Sequence, residues 1–262
     1  MSILDEIVDT KKRRLKETKV LLPFSEVKAR ALDRRPTRSF LSAIRRKRNE
    51  RIRFIGELKK ASPSKGLLRE DFVPLEIASL YQQKGASAVS VITEEDYFQG
   101  SIQYLRDVSR ILKISVLRKD FIFDDYQIYE TSAFGADAVL LIAAILSRTQ
   151  AEELYHLASE IGLDVLFEVH HWKELDMVLL VDPPIIGINN RDLKTLEVDV
   201  NRTLELLKDI PEDKVIVSES GISTRKDVEL FQSTRVDALL IGTVFMKADS
   251  IENKIEELFG SS

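Results

Sequence analysis

Residues 135–142 read GADAVLLI, and the architecture can be worked out from this stretch. A glycine stands where a helix should stop, a polar-Ala step follows, and an unbroken aliphatic run begins. Glycine adopts the left-handed conformation that ends helices, and a continuous aliphatic run suits a strand covered on both faces. The same layout returns as GASAVSVI at 85–92 and, without the glycine, as RVDALLIG at 235–242. Recurrence of one helix-to-strand unit implies a repeated architecture.

Five more β-rich runs lie elsewhere in the chain: FIGEL from Phe54, VLRKDF from Val116, VLFEV from Val165, IIGIN from Ile185 and VIVSES from Val215. With the three repeats that makes eight strands, starting roughly 20 to 35 residues apart. Amphipathic segments such as PLEIASLYQQK, SIQYLRDVSRILK, SRTQAEELYHLASEI and TRKDVELFQS lie between most of them and read as helices. Eight strands alternating with helices predict an α/β protein of the (β/α)8 TIM-barrel class. An open doubly wound sheet lacks its usual marks, since no G-x-G-x-x-G follows a strand and no Walker loop is present. Before the first strand, Ile3, Ile7 and Leu15 suggest one helix. Ser39 is placed to cap a second, FLSAIRRK, after Pro36. The expectation is one barrel domain over 1–262, with residues 1 to about 50 forming an N-terminal helical extension packed near the first strand.

Composition narrows the function. The chain has 39 basic and 43 acidic residues, net charge −4, and no cysteine. That argues against a dedicated nucleic-acid binder and excludes disulfides, thiolate metal sites and cysteine nucleophiles. No apolar run approaches the ~20 residues of a membrane span, and MSILDEIVDTKKRRLKE lacks a signal-type core. A cytoplasmic protein with no membrane or nucleic-acid partner is the default. A monomer is assumed, although the sequence carries no mark of oligomeric state.

Barrel chemistry sits at the C-terminal ends of the strands. There the chain offers Glu57, Lys59 and Ser62; Thr93 and Glu94; Lys119 and Asp120; Glu168 and His170; Asn189, Asn190 and Arg191; Glu219, Ser220 and Gly221; and Gly242 and Thr243. Residues i and i+2 of a strand share a face, so Glu57 and Lys59 in ELKKASPSKG project together. Burying such charges costs several kcal/mol per ion unless they are paired, so a shared location at one end implies use. Ser220-Gly221 and Gly242-Thr243 follow strands seven and eight, a common phosphate position in barrels. Lysine among carboxylates stays protonated. That makes it an acid or anion clamp rather than a Schiff-base amine. His170-His171 resembles a metal pair, but adjacent strand residues face opposite ways and the remaining histidine, His156, lies on a predicted helix. No metal site is expected.

In these residues and their order, the chain closely resembles the indole-3-glycerol phosphate synthase family over nearly its whole length. RPTRSFLSAIR, ELKKASPSKG, VITEEDYFQGS, VLRKDFI, ADAVLLIAAIL, GINNRDL, ESGI and GTVFMKA look like the family's segments in the family's order. The resemblance implies ring closure of carboxyphenylamino-deoxyribulose phosphate to indole-3-glycerol phosphate with loss of CO2 and water, without cofactor. It implies Lys119 as the general acid at the ketone and Glu168 and Lys59 as partners in dehydration and at the anilinic carboxylate. The division of acid roles between the two lysines stays open. Glu57 and Glu219 would orient the lysines, and Asn189 and Arg191 would position substrate. Ser62, Ser220, Gly221, Gly242 and Thr243 match the phosphate positions, and Phe98, Phe121 and Leu140 the anthranilate slot. Gly56, Ser218 and Thr243 depart from the usual Ala, Ala and Ser. A phosphoribosylanthranilate isomerase is the enzyme alternative, but it is expected to use a cysteine base. A non-catalytic binding barrel should have lost some of the ionisable residues, and here all are present.

Overall fold

A computed structural model describes residues 2–47, 49–192 and 195–260. Among them, eight parallel strands close into a barrel: Arg53–Leu58, Ala88–Ile92, Ser115–Lys119, Ala138–Ile142, Asp164–Val169, Ile185–Asn189, Val215–Glu219 and Ala238–Ile241. Each pairs with its neighbours in chain order. The first closes on the eighth in a register running from Arg53 opposite Ala238 to Gly56 opposite Ile241. All eight fall on the runs read from the sequence.

The glycines of the repeat do what their position implies. Gly85 and Gly135 take φ of +84° and +88°. The next N–H reaches back to close the helix end, Ala86 to the Tyr81 carbonyl at 2.9 Å and Ala136 to the Thr131 carbonyl at 3.2 Å. A residue with a Cβ would be strained there. The polar residue that follows acts across the sheet. Asp137 accepts the Val116 N–H and Asp237 accepts the Ile216 N–H, each at 2.9 Å, so each fastens the start of a neighbouring strand.

Alternation sorts the strands into two cores. Phe54, Val116, Val139, Leu141 and Phe167 face the helices, while Ile55, Leu117, Leu140, Leu166, Val217 and Leu240 fill the barrel. Two residues further along, the same inward parity brings Glu57, Lys119, Glu168 and Glu219 into the barrel from strands one, three, five and seven. Barrel interiors are layers of four side chains from alternate strands. The topmost of these layers is charged.

The N-terminal extension packs at both ends. Its first helix, Ile3–Leu21, starts on a Ser2–Asp5 capping box. It lies over the loops after strands two and three, held by Lys11 to Asp120 at 2.8 Å and Arg14 to Asp96 at 2.7 Å. A second helix, Phe24–Leu32, absent from the sequence reading, packs against helix Asp125–Ala133. Ser39 caps the third as expected, but that helix spans only Phe40–Ile44. Phe40 and Ile44 are fully buried among the interior residues, and N–H groups of Arg38, Leu41 and Arg46, in and beside this helix, are held by Asp137, Asp164 and Asp237. The extension therefore does more than pack near the first strand: its short helix plugs the N-terminal end and its long helix borders the mouth. No helix among the described residues is long and apolar enough to cross a membrane.

Candidate active site

The charged layer lies in a cavity of about 660 Å³ at the C-terminal end of the barrel. Lys119 stands at its centre. Its Nζ lies 3.3 Å from Glu168, 3.4 Å from Glu219 and 3.9 Å from Glu57. Lys59, just past the first strand, pairs with the other oxygen of Glu57 at 2.6 Å. Glu57, Glu168 and Glu219 are almost fully buried. Burial alone would discharge Lys119, but the three carboxylates outweigh it and hold the ammonium well above its usual pKa. Burial raises Glu57 and Glu168, yet Lys59 and Lys119 keep Glu57 low, and Lys119 with His170 keeps Glu168 low. Glu219 is different. Burial pushes it up to about 8 against the pull of Lys119, helped by Glu168 and Glu57, and neither of its oxygens accepts an aligned hydrogen bond. Carboxylates crowded this closely cannot all ionise cheaply, and Glu219 is the one that gives up its proton last.

Glycines on strand six and just past strand eight make room for this layer. A Cβ on Gly242 would stand 2.2 Å from Glu57 Oε2, and one on Gly187 would stand 2.5 Å from Glu219 Oε1. Gly242, read from the sequence as a phosphate residue, is thus also the space that Glu57 occupies.

The other expected residues gather around the layer. Asn189, Arg191, Ser220, Gly221, Gly242, Thr243, Phe98 and Phe121 line the same cavity. Ser62 lines a smaller adjoining cavity together with Lys59, Arg191 and Thr243, bordered by Ile3, Leu4 and Ile7 of the first helix. Phe98 and Phe121 face each other with ring centroids 6.2 Å apart. Arg191 is held by its own loop, its Nη1 donating to the Leu196 carbonyl at 2.8 Å and its backbone N–H to Asn189 Oδ1 at 3.0 Å. Ser220 takes a left-handed φ of 65°, a costly conformation for a residue with a Cβ. Its carbonyl is anchored by Asn190 Nδ2 at 3.0 Å.

Some expectations need correction. Leu140 lies in the packed interior one step below the cavity, and Ile142, two residues on, lines it instead. Thr93 and Asp120 follow inward-facing Ile92 and Lys119 by one position, so they point outward. There they join a buried network with Arg118, Glu130 and Lys11. Glu94 organises its loop, accepting the N–H groups of Asp96, Tyr97 and Phe98. His170 and His171 do not diverge, because both lie past the strand end and both reach Glu174, at 3.0 and 3.1 Å. Among the described residues no group of three or more His, Cys, Asp and Glu side chains is arranged to hold a metal ion.

A family model described as indole-3-glycerol phosphate synthase matches residues 4–258. The chain belongs to the indole-3-glycerol phosphate synthase family. Relatives bearing that description include one from Alkaliphilus metalliredigens, 46% identical over 98% of this chain and 97% of its own length. Another, from Polynucleobacter asymbioticus, is 47% identical over 98% of both chains. Among solved structures, a mutant tryptophan synthase alpha-subunit from Pyrococcus furiosus superposes with a TM-score of 0.61 at 14% identity. It covers 80% of this chain and 98% of that one. KGPDC from Streptococcus mutans gives 0.59 at 11%, covering 80% and 96%. These last two show the shared barrel alone.

Two departures from the usual pattern of the indole-3-glycerol phosphate synthase family have physical reasons here. A Cβ on Gly56 would lie 2.4 Å from the Tyr81 ring, so glycine admits that ring, whose hydroxyl donates to the Glu57 carbonyl at 3.3 Å. Ser218 accepts from Asn190 Nδ2 at 3.1 Å and contacts Thr203 Oγ1 at 2.9 Å, bracing the residue that holds Ser220. Nothing in the structure explains Thr243. The strand-end reading missed Lys65, Lys247 and Lys254, which also line the cavity. Lys65 was visible in ELKKASPSKG, whereas Lys247 and Lys254 come from helices after strand eight that no strand-end rule reaches.

Proposed function

We propose that this chain closes the indole ring of 1-(2-carboxyphenylamino)-1-deoxyribulose 5-phosphate at the Lys119 cavity, releasing CO2 and water, as a step of tryptophan biosynthesis. One observation carries the assignment of the site: a lysine ammonium surrounded by three buried carboxylates, between an aromatic pair and a basic, glycine-lined rim.

The substrate's aromatic ring packs beside Phe98 and Phe121, and its phosphate lies near Ser220, Gly221, Gly242 and Thr243, with Ser62 and nearby lysines supplying polar and positive groups. The ring carbon bearing the carboxylate attacks the ketone carbon, and the carbonyl electron pair moves onto oxygen. Lys119 protonates that oxygen. An ammonium with a raised pKa is a weak acid toward a ketone but well matched to an oxygen becoming an alkoxide. Loss of CO2 returns the bonding pair to the ring. Dehydration follows: Lys59 protonates the departing hydroxyl, and Glu168, held ionised, takes the proton from the adjacent carbon. Glu57 and Glu219 orient the lysines, while Arg191 and Asn189 position the substrate, Arg191 pairing with its carboxylate.

The test is direct. Incubating the purified chain with the ribulose phosphate should produce indole fluorescence and an equal amount of CO2. Absence of both at micromolar enzyme would refute the assignment.

A further inference from the structure

His170 takes no part in the reaction as described, yet carboxylates bracket it on both sides at the mouth. It follows strand five, two residues beyond Glu168, and is 6% exposed. Its Nε2 lies 3.1 Å from Glu168 Oε1 and its Nδ1 lies 3.0 Å from Glu174 Oε2. Glu174 Oε2 also accepts the His170 backbone N–H at 2.6 Å, which fixes the far end of the arrangement. On the near side, Lys119 approaches the opposite oxygen of Glu168, Oε2.

We infer that His170 is a positioning residue for the ring closure: a doubly protonated imidazole that holds Glu168 ionised and turns one of its oxygens toward Lys119, with Glu174 as its counter-charge. The inference rests on the reading of Glu168 as the base given above. A neutral imidazole has one N–H and one lone pair. Here both ring nitrogens face carboxylate oxygens, so a lone pair on either would oppose an anion. Only the imidazolium suits both neighbours. Its contact with Glu168 is an ion pair rather than an aligned hydrogen bond, so it supplies charge and leaves the carboxylate free to act.

Electrostatics agree. Burial alone would lower the His170 pKa, but Glu168 and Glu174 raise it to about 9. These two are its charged neighbours, from the end of strand five and from the first turn of helix Trp172–Val181. Lys119 stands beyond Glu168, and His171 reaches only the outer oxygen of Glu174.

The experiment compares pH profiles of kcat for wild type, His170→Asn, Glu174→Gln and Glu168→Gln, with nitrogen NMR of the wild-type imidazole. In His170→Asn, turnover should fall about tenfold or more, part of what a positioned base supplies. Its acid limb should move up by about one pH unit, because Glu168 has lost a cation. Glu174→Gln, which removes one of the two anions, should move the alkaline limb near pH 9 downward. NMR should find both ring nitrogens protonated at pH 7. Unmoved limbs in His170→Asn, or a neutral imidazole at pH 7, would overturn the inference. Glu168→Gln separates the two readings. Wild-type turnover there removes Glu168 from the reaction and His170's role with it, whereas an inactive Glu168→Gln beside an unmoved His170→Asn profile refutes the role of His170 alone. Should His170→Asn fail to fold, the Glu174→Gln limb and the NMR still decide.

Discussion

The two ends of this barrel are built from the same chemistry, lysine or arginine against carboxylate, and use it in opposite ways. At the N-terminal end, Asp137 is fully buried and every lone-pair direction is used. It accepts from the N–H groups of Val116 and Arg38 at 2.9 Å, from Arg38 Nε at 2.8 Å and from Arg35 Nη1 at 3.4 Å. At the C-terminal end, Glu219 is equally buried and accepts no aligned hydrogen bond. A satisfied carboxylate fixes the fold, whereas an unsatisfied one, crowded by Glu57 and Glu168 around a single lysine, is held in place by the fold. Evolved sites commonly sacrifice stability for such arrangements.

Breaking the N-terminal side should have the largest effect on stability. Asp137→Ala leaves Arg34 and Arg38, which lie 3.7 and 2.7 Å from its carboxylate, without their counter-charge, and removing one partner of a buried pair typically costs about 3–5 kcal/mol. Urea unfolding should show that loss, while turnover of the protein that remains folded stays near wild type. A loss below about 1 kcal/mol would mean that the satisfied network is not what holds this end.

The matching change at the mouth should cost little. Glu219 has its folded pKa raised to about 8 from 4.5. A carboxyl raised in this way contributes stability that is full below the unfolded value and is lost as pH rises through the folded one. Glu219→Gln cannot ionise, so between about pH 4.5 and 8 it should escape that loss. Its unfolding free energy at pH 8 should equal or exceed that of wild type, whereas a clear drop would show that Glu219 is ionised and satisfied after all.

The same contrast explains what the sequence could disclose. The eight strands, the glycine-ended helices and the charged layer follow from periods of two and 3.6 residues. Glu57, Lys119, Glu168 and Glu219 each lie two residues beyond an aliphatic interior position, so their convergence was legible. Thr93 and Asp120 were misplaced because being at a strand end was counted without parity, and one residue of offset sends a side chain out of the barrel. Phe24–Leu32 escaped because Val27 and Ala31 are its only buried apolar residues, too few to make a period. The raised pKa of Glu219 depends on burial and on distances among several strands, which no local pattern contains.

The claim underlying all of this is that the lysine at the centre of the mouth gives the first proton. The measurement is kcat of Lys119→Ala by indole fluorescence, alongside substrate binding and a circular-dichroism check of the fold. The expected result is a folded protein that binds substrate and turns it over at least ~10²-fold more slowly. A folded variant with near wild-type kcat would contradict it.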